Sequence, residues 1–486
     1  MAPAHPSATP AASTAAQLQA DWKAARAKVA EIERSLAALE APFAAEAPHE
    51  TVGPLDGVTV LEVANWAACP AAAAIMADLG ATVIKVEAAE GDSMRWALQP
   101  ARVPDPQNPG RFFNPGEVID ANFNFCNRGK QSICLDIGSA DGRGIVHRLS
   151  KQCDVFLTNL IPTRLRQFEL TYDDIKQLNP MTVYAQLSPY GQTGPMSERT
   201  GFDYSSFFCA GGVGSVMGLM GDRAIDRAGS EWFRPGAGDL PTALAMSNAI
   251  LSGLHMREKT GRGCEVETSL LRNASFVIGL DYSNAMIDGL QPPAFNPDGI
   301  GNPAGRAYLT SDDRKIVYAM PINWPQYWPR FGRMLGLPEE VIEEGLVNRR
   351  SAISAEMHEM CERLHQTKTL AEWTALATDA ELTFSPVATL PEYIQNEQVA
   401  HAGSVAKLEH PLLGTIKTPN TPFGMPGTAV GARSVAPEPG ADTAKIMLGM
   451  GGYSEAELLT FQEKGVVGHR PRPGTAAEAS VFKIYK

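Results

Sequence analysis

The 486-residue chain lacks any run of the roughly 18 to 20 uncharged apolar residues that a membrane span needs. Its first twenty residues also lack the basic start and apolar stretch of a secretory signal. Its seven cysteines (Cys69, Cys126, Cys134, Cys153, Cys209, Cys264 and Cys361) are odd in number, scattered and never spaced C-x-x-C, which argues against a disulfide framework and a thiolate zinc site. A reducing, cytoplasmic setting is the expectation. Basic residues are in the minority: 42 Lys and Arg against 54 Asp and Glu leave a net charge of −12. That balance argues against broad binding to a nucleic-acid backbone but leaves room for one anionic ligand in a local basic pocket.

Several catalytic signatures are missing too. There is no Walker-type phosphate loop and no G-x-S-x-G nucleophile elbow. The first apolar strand and the second, which ends at Glu87, suggest a dinucleotide fold. The turn between them, Asn65-Trp66-Ala67-Ala68-Cys69-Pro70, has none of the glycines that bring a backbone against a pyrophosphate. His358, Cys361 and His365 share one face of a helical pattern, but three ligands at spacings of three and four on one helix rarely converge on one ion. They are expected to form a half-buried helix face, and no metal site is expected.

What remains has ordinary globular composition, 44% hydrophobic and 20% charged. Residues 1–51 stand apart: an Ala/Pro/Ser/Thr-rich lead-in expected to be disordered, then Leu18, Trp22, Ala25, Val29, Ile32, Leu36 and Leu39 at alternating spacings of four and three, the pattern of one amphipathic helix. From Leu55 the chain reads as α/β. Strands are expected at 58–63, 81–86, 133–137, 155–158 and 182–187, with helices at 142–151 and 172–178 between them, the alternation of a parallel, doubly wound sheet. A long helix follows Asp239 and stops at Thr260-Gly261-Arg262-Gly263. The expected divisions are a first large-domain segment at 52–270, a linker at 271–305, a small domain at 306–403 and a C-terminal return at 404–486. The small domain has a strand at 316–320 and helices at 324–335 and 351–365; a last helix covers 454–463.

Asp239 carries the most chemical promise. In Pro235-Gly236-Ala237-Gly238-Asp239-Leu240-Pro241, flexible glycines deliver a carboxylate to a helix start, where dipole and amides favour an anion. A plain N-cap and an approachable carboxylate nucleophile both fit that local text.

Seven segments decide between them. They are GPLDGVTVLEVANWAACPAAAAIMADLGATVIKVE from Gly53, GDSMRW from Gly91, NRGKQSICLDI from Asn127, DVFLTNLIP from Asp154, LSPYGQTGP from Leu187, GAGD from Gly236 and REKTGRGCEVETSLL from Arg257. In order and spacing, this chain resembles the family III CoA-transferases from about Leu55 to Val467. GFDYSSFFCAGGVGSVMG from Gly201 and the ending LGMGGYSEAELLTFQEKGVV look most like the members acting on 2-hydroxy acids such as aryl-lactates or 2-hydroxyisocaproate.

The resemblance implies a Rossmann-like large domain with a small α+β domain in an interlocked homodimer. It also implies CoA and acyl-CoA as substrates, with no permanently bound cofactor. Asp239 becomes the catalytic aspartate, which forms an anhydride and then a CoA thioester. Leu135, Asn159 and Leu160 fall beside the adenosine or pantetheine, with Lys130, Arg164 and Arg166 as cations for the phosphates. Asn65, Trp66, Ala67, Phe202, Asp203 and Gly238 fall around the acyl pocket.

Three departures stand out. Ala67 replaces a glutamine of the formyl-CoA enzymes, Ala88 replaces an arginine that contacts CoA, and Gln167 occupies another arginine position. They argue against formyl-CoA/oxalate specificity. The family's acyl-CoA racemases place a His where this chain has Phe202, which cannot shuttle a proton. Transfer therefore ranks first, ahead of a racemase and of a non-catalytic CoA-binding scaffold recruited through the N-terminal helix.

Overall fold

The structure, a computed structural model, describes residues 52–97, 103–106, 108, 112–113, 121–217, 234–292, 302–319 and 323–468. The expected lead-in and amphipathic helix of residues 1–51 lie outside the described residues.

Short apolar and β-branched runs build β1 (Thr59–Val63), β2 (Thr82–Glu87), β3 (Gln131–Cys134), β4 (Val155–Thr158) and β5 (Val183–Ser188) of the main sheet, and a more polar strand, β6 (Glu265–Ser269), completes it. All pairings are parallel, in the order β3-β2-β1-β4-β5-β6. Strands β1, β4 and β5 are buried almost throughout because helices cover both faces, as a parallel sheet requires. This order reverses direction at β1/β4, so the loops leaving the carboxyl ends of those strands diverge and open a crevice.

Two helices position the site on one face. Helix α1 (Ala68–Asp78) is buried along its whole length, since its run of alanines allows close approach to the sheet. The 22-residue helix α2 (Asp239–Thr260) turns Ala243, Met246, Ile250 and Leu254 into the same core and ends at Gly261, whose φ of +66° closes the last turn. On the other face, the C-terminal segment returns: Ile446, Met447, Leu458, Val466 and Val467 pack with Leu61, Ile84, Ile133 and Phe156.

A second core runs from Ala304 to Leu382 around an antiparallel sheet of β7 (Ala307–Leu309), β8 (Lys315–Tyr318) and β9 (Phe384–Pro386), in the order β9-β8-β7. Strands β10 (Val405–His410) and β11 (Gly414–Pro419) form a separate hairpin.

The differences from expectation have local causes. β6 was not anticipated, because its Glu265-Val266-Glu267 start is the polar alternation of an edge strand. The helix expected over 351–365 is interrupted: Ser354 caps a new helix, Ala355–His365, by accepting the Met357 N–H. The first half of the expected linker holds the helices Leu270–Val277 and Gly279–Asp288. His358, Cys361 and His365 are buried in the second core. His365 stacks on Tyr308 at 4.1 Å and its Nε2 lies 3.1 Å from the Tyr318 hydroxyl. Among the described residues, no cluster of His, Cys, Asp and Glu is arranged to hold a metal ion.

Candidate active site

The crevice at the switch point is framed by the loops after β1 and β4. Asn65 and Asn159 join them: the Asn65 N–H donates to Asn159 Oδ1 at 3.2 Å, and Asn159 Nδ2 donates to the Asn65 carbonyl at 2.8 Å. Trp66 follows in the left-handed region, with φ 64°, and its ring meets Phe202 edge-on at 5.1 Å.

The segment before α2 is held from the side by Asp203. Its Oδ2 accepts the Gly236 N–H at 2.9 Å and the Gly238 N–H at 3.3 Å, while Oδ1 accepts its neighbour Tyr204's N–H at 2.9 Å. Gly236 needs its φ of +82°, and a Cβ on Gly238 would lie 2.7 Å from the Phe207 ring and 2.9 Å from Asp203 Cβ. Only glycines let the chain turn this tightly against Asp203 and deliver Asp239.

Asp239 is the first residue of α2; the cap position belongs to Gly238. The Asp239 carboxyl is pushed up to about 7, first by burial and then by the neighbouring Asp203. Asp203 is itself raised by burial, against the pull of its three amide donors. The amides around Asp239 are mostly spent: Gly236 and Gly238 donate to Asp203, Ala237 to Arg234 O and Leu240 to Gly236 O. Pro241 has no N–H to offer. The helix start therefore acts on Asp239 mainly through its dipole.

Three cavities meet along this line. One of 540 Å³ lies over the carboxyl ends of β1 to β4 and is lined by Asn65, Ala88, Leu135, Leu160 and Phe168, among others. A second, of 230 Å³, shares Asn65 with the first and adds Asn159, Trp66, Ala67, Phe202 and Asp239. A third, of 480 Å³, shares the last four and continues between Met94, Phe125, Tyr204 and Leu240. Asp239 thus faces both smaller cavities, and the crevice leads to it.

The expected residues fall into two groups. Asn65, Trp66, Ala67, Phe202, Asp203, Gly238 and Asp239 come together, with Leu135, Asn159 and Leu160 along the crevice. The three expected cations do not line these cavities. Lys130 is buried, with its ammonium 2.6 Å from Glu62 Oε2 and donating to Pro70 O and Asn127 Oδ1; burial lowers it to about 8. Arg166 is exposed and paired with Glu198 at 2.6 Å. Arg164 is exposed, donates to Gln167 Oε1 at 2.6 Å and stands over the ring of Phe168, at the rim of the 540 Å³ cavity.

Glu87, which ends β2 where a dinucleotide fold holds its ribose, is occupied. It accepts from Arg95 at 2.6 and 2.8 Å, from the Ser132 hydroxyl and from the Asp92 N–H; burial opposes its ionisation but the Arg95 guanidinium wins and holds it down at about 2. Its neighbours Lys85 and Asp92 escaped the sequence reading, although GDSMRW contains Asp92. Only pairing across strands shows what that motif touches.

The model of the family "CoA-transferase family III" matches residues 55–443. The chain is 27% identical over 418 residues to (R)-2-hydroxy-4-methylpentanoate CoA-transferase of Clostridioides difficile, covering 85% of this chain and 99% of that protein. It is 28% identical over 412 residues to cinnamoyl-CoA:phenyllactate CoA-transferase of Clostridium sporogenes, covering 84% and 95%. It is 27% identical over 424 residues to mouse succinyl-CoA:glutarate CoA-transferase, covering 86% and 91%. A solved CAIB/BAIF family protein from Brucella suis superposes with a TM-score of 0.68 at 25% identity, covering 82% of this chain and 100% of that one. With a matched segment spanning both the β1 crevice and Asp239, the chain belongs to CoA-transferase family III.

Proposed function

We propose that this enzyme moves CoA from an acyl-CoA to a carboxylic acid through Asp239, and that the acid is a monocarboxylate with an apolar body, such as a 2-hydroxy acid. The carrying observation is a carboxylate at the junction of two cavities, made more basic by burial and by Asp203.

In the ionised state Asp239 attacks the thioester carbonyl, giving a mixed anhydride and CoA thiolate. The thiolate attacks the aspartyl carbonyl, releasing the donor acid and leaving an aspartyl-CoA thioester. The acceptor carboxylate attacks that thioester, re-forming an anhydride and thiolate. Attack of the thiolate on the acceptor carbonyl makes the new acyl-CoA and returns Asp239 as carboxylate. Every step exchanges one acyl bond for another, so the thioester energy is kept as long as water stays out. The apolar walls around Asp239 support that exclusion.

The substrate class rests on the 480 Å³ cavity. Trp66, Met94, Phe125, Phe202, Pro235 and Leu240 line it, and no Lys or Arg is among its described lining residues. A second carboxylate placed there would be desolvated without a partner, which favours the hydroxy-acid relatives over the dicarboxylate ones as guides. Leu135, Leu160 and Phe168 in the 540 Å³ cavity suit the CoA arm, with Arg164 at the rim for a phosphate.

The interlocked dimer is part of this proposal. Leu280, Met286 and Ile287 on the helix Gly279–Asp288 are 71–88% exposed, an apolar face suited to a second copy. Incubating the enzyme with one acyl-CoA and a panel of aryl-lactates, aliphatic 2-hydroxy acids and dicarboxylates, with mass-spectrometric detection of new acyl-CoAs, tests the function. New thioesters of the hydroxy acids are expected. Transfer only to dicarboxylates would overturn the substrate class, and no transfer to any acid would overturn the proposed activity.

A further inference from the structure

Trp66 combines a bulky side chain with a left-handed backbone, a conformation that few L-residues adopt and that costs a bulky one strain energy. Asp92 supplies the constraint. Its Oδ1 accepts the Trp66 N–H at 3.3 Å and the Met94 N–H at 2.9 Å, while Oδ2 lies 2.9 Å from Lys85 Nζ. Lys85 is fully buried; it also bonds Glu62 at 3.0 Å and the Ala64 carbonyl at 2.9 Å, two residues before Trp66. Asp92 is fixed from behind as well, its own N–H donating to Glu87 Oε2 at 2.9 Å. Both ends of the short turn from Ala64 to Trp66 are therefore tied to one buried lysine–aspartate pair. Buried ion pairs give little net stability over apolar packing, so this one is better explained by the geometry it imposes.

That geometry has a use at the site. The edge-on contact of Trp66 with Phe202 stands where the 230 and 480 Å³ cavities adjoin, and both rings line both cavities beside Asp239. The smaller cavity shares Asn65 with the 540 Å³ crevice, so a thioester arm arrives from that side.

We propose that Asp92 is a positioning residue for acid selectivity: braced by Lys85, it holds Trp66 so that the Trp66–Phe202 pair partitions the space at Asp239, with the thioester arm on one side and the body of the acid on the other. The substrate placement rests on the proposed CoA transfer; the hold on Trp66 does not. Without Asp92 the indole moves, the two compartments merge and discrimination by the bulk of the acid falls.

The test compares kcat/KM for phenyllactate and lactate. Asp92→Ala and Trp66→Ala should each change the ratio by about fivefold or more, and the double variant should match Trp66→Ala alone, because Asp92 acts through the indole. Multiplying effects, or an Asp92→Ala enzyme slowed equally with both acids, would overturn the proposal. Phe202→Leu, at an exposed ring away from the buried charges, should also change the ratio; an unchanged ratio would overturn the partition.

The readout independent of activity is the ¹⁹F NMR resonance of Trp66 in full-length protein labelled with 5-fluorotryptophan, assigned among the seven tryptophans by Trp66→Phe. Asp92→Ala should move it, whereas Asp92→Asn, which keeps an acceptor oxygen, should leave it near the wild-type position while lowering the melting temperature. A Trp66 resonance unmoved by Asp92→Ala, or displaced equally by Asp92→Asn, contradicts the hold. If the wild type transfers CoA to neither acid, the functional reading fails and the NMR result still decides the positioning.

Discussion

Replacing Asp239 by Asn should make the protein more stable, most clearly at neutral and alkaline pH. The carboxyl of Asp239 is pushed up to about 7 by burial and by Asp203, so the folded protein binds its proton more tightly than the unfolded chain does. A group raised in this way contributes its full stability below the unfolded carboxylate pKa and loses it as pH rises through about 7. Each tenfold change in proton affinity is worth about 1.4 kcal/mol, and roughly three such steps cap the cost of the ionised form at about 4 kcal/mol. Asp239 keeps part of its surface in solvent, and screening there reduces the figure to about 2 kcal/mol. The dipole of α2 favours the anion by only about 0.3–1 kcal/mol, which leaves the sign unchanged. With an unfolding entropy of about 2.1 cal/mol/K per residue, a chain of 486 residues gains about 1 °C for each kcal/mol. Scanning calorimetry of Asp239→Asn against wild type should show an advantage of about 2 °C at pH 8, growing between pH 4 and 7 and flat above. An Asn variant no more stable than wild type at pH 8, or an advantage unchanged across that range, would refute the claim that this carboxylate is held at a cost.

The same shift predicts that kcat/KM of the wild type falls on the acid side with a midpoint near 7. Asp203→Asn, which removes the neighbouring charge but keeps an acceptor for Gly236 and Gly238, should move that limb to lower pH; an unmoved limb excludes the coupling. Gly238→Ala places a Cβ 2.7 Å from the Phe207 ring and should cost about 1–3 kcal/mol in denaturant melts, together with most of the activity. Wild-type stability in this variant would show that the turn is not close-packed. Lys85→Met strands the buried carboxylates of Glu62 and Asp92 and should destabilise by about 3–5 kcal/mol in urea titration; a loss below 1 kcal/mol would show the network to be dispensable.

The parallel sheet was legible because its strands are short apolar runs set between helical periods, and each burial face follows from that text. β6 was not, since an edge strand with alternating glutamates resembles a polar connection. Asp239 stood out through the glycines around it, and the structure adds what those glycines serve: Gly236 and Gly238 bring two amides onto Asp203. The phosphate cations were the weakest part of the sequence reading. Charge type is visible in a sequence but commitment to a partner is not, and Lys130 is spent on Glu62, a residue 68 positions earlier in the chain. Asp92 was hidden for the same reason, because its role depends on Lys85 from β2 and Trp66 from the loop after β1.

The most direct test of the account is covalent trapping at Asp239. Full-length enzyme incubated with an acyl-CoA and hydroxylamine, then denatured, digested and analysed by mass spectrometry, should carry a hydroxamate on the Asp239 side chain, formed only when acyl-CoA is present and lost in Asp239→Asn. An unmodified Asp239 peptide from an enzyme that is exchanging CoA, or an Asp239→Ala enzyme that still exchanges it, would contradict a covalent role for this residue.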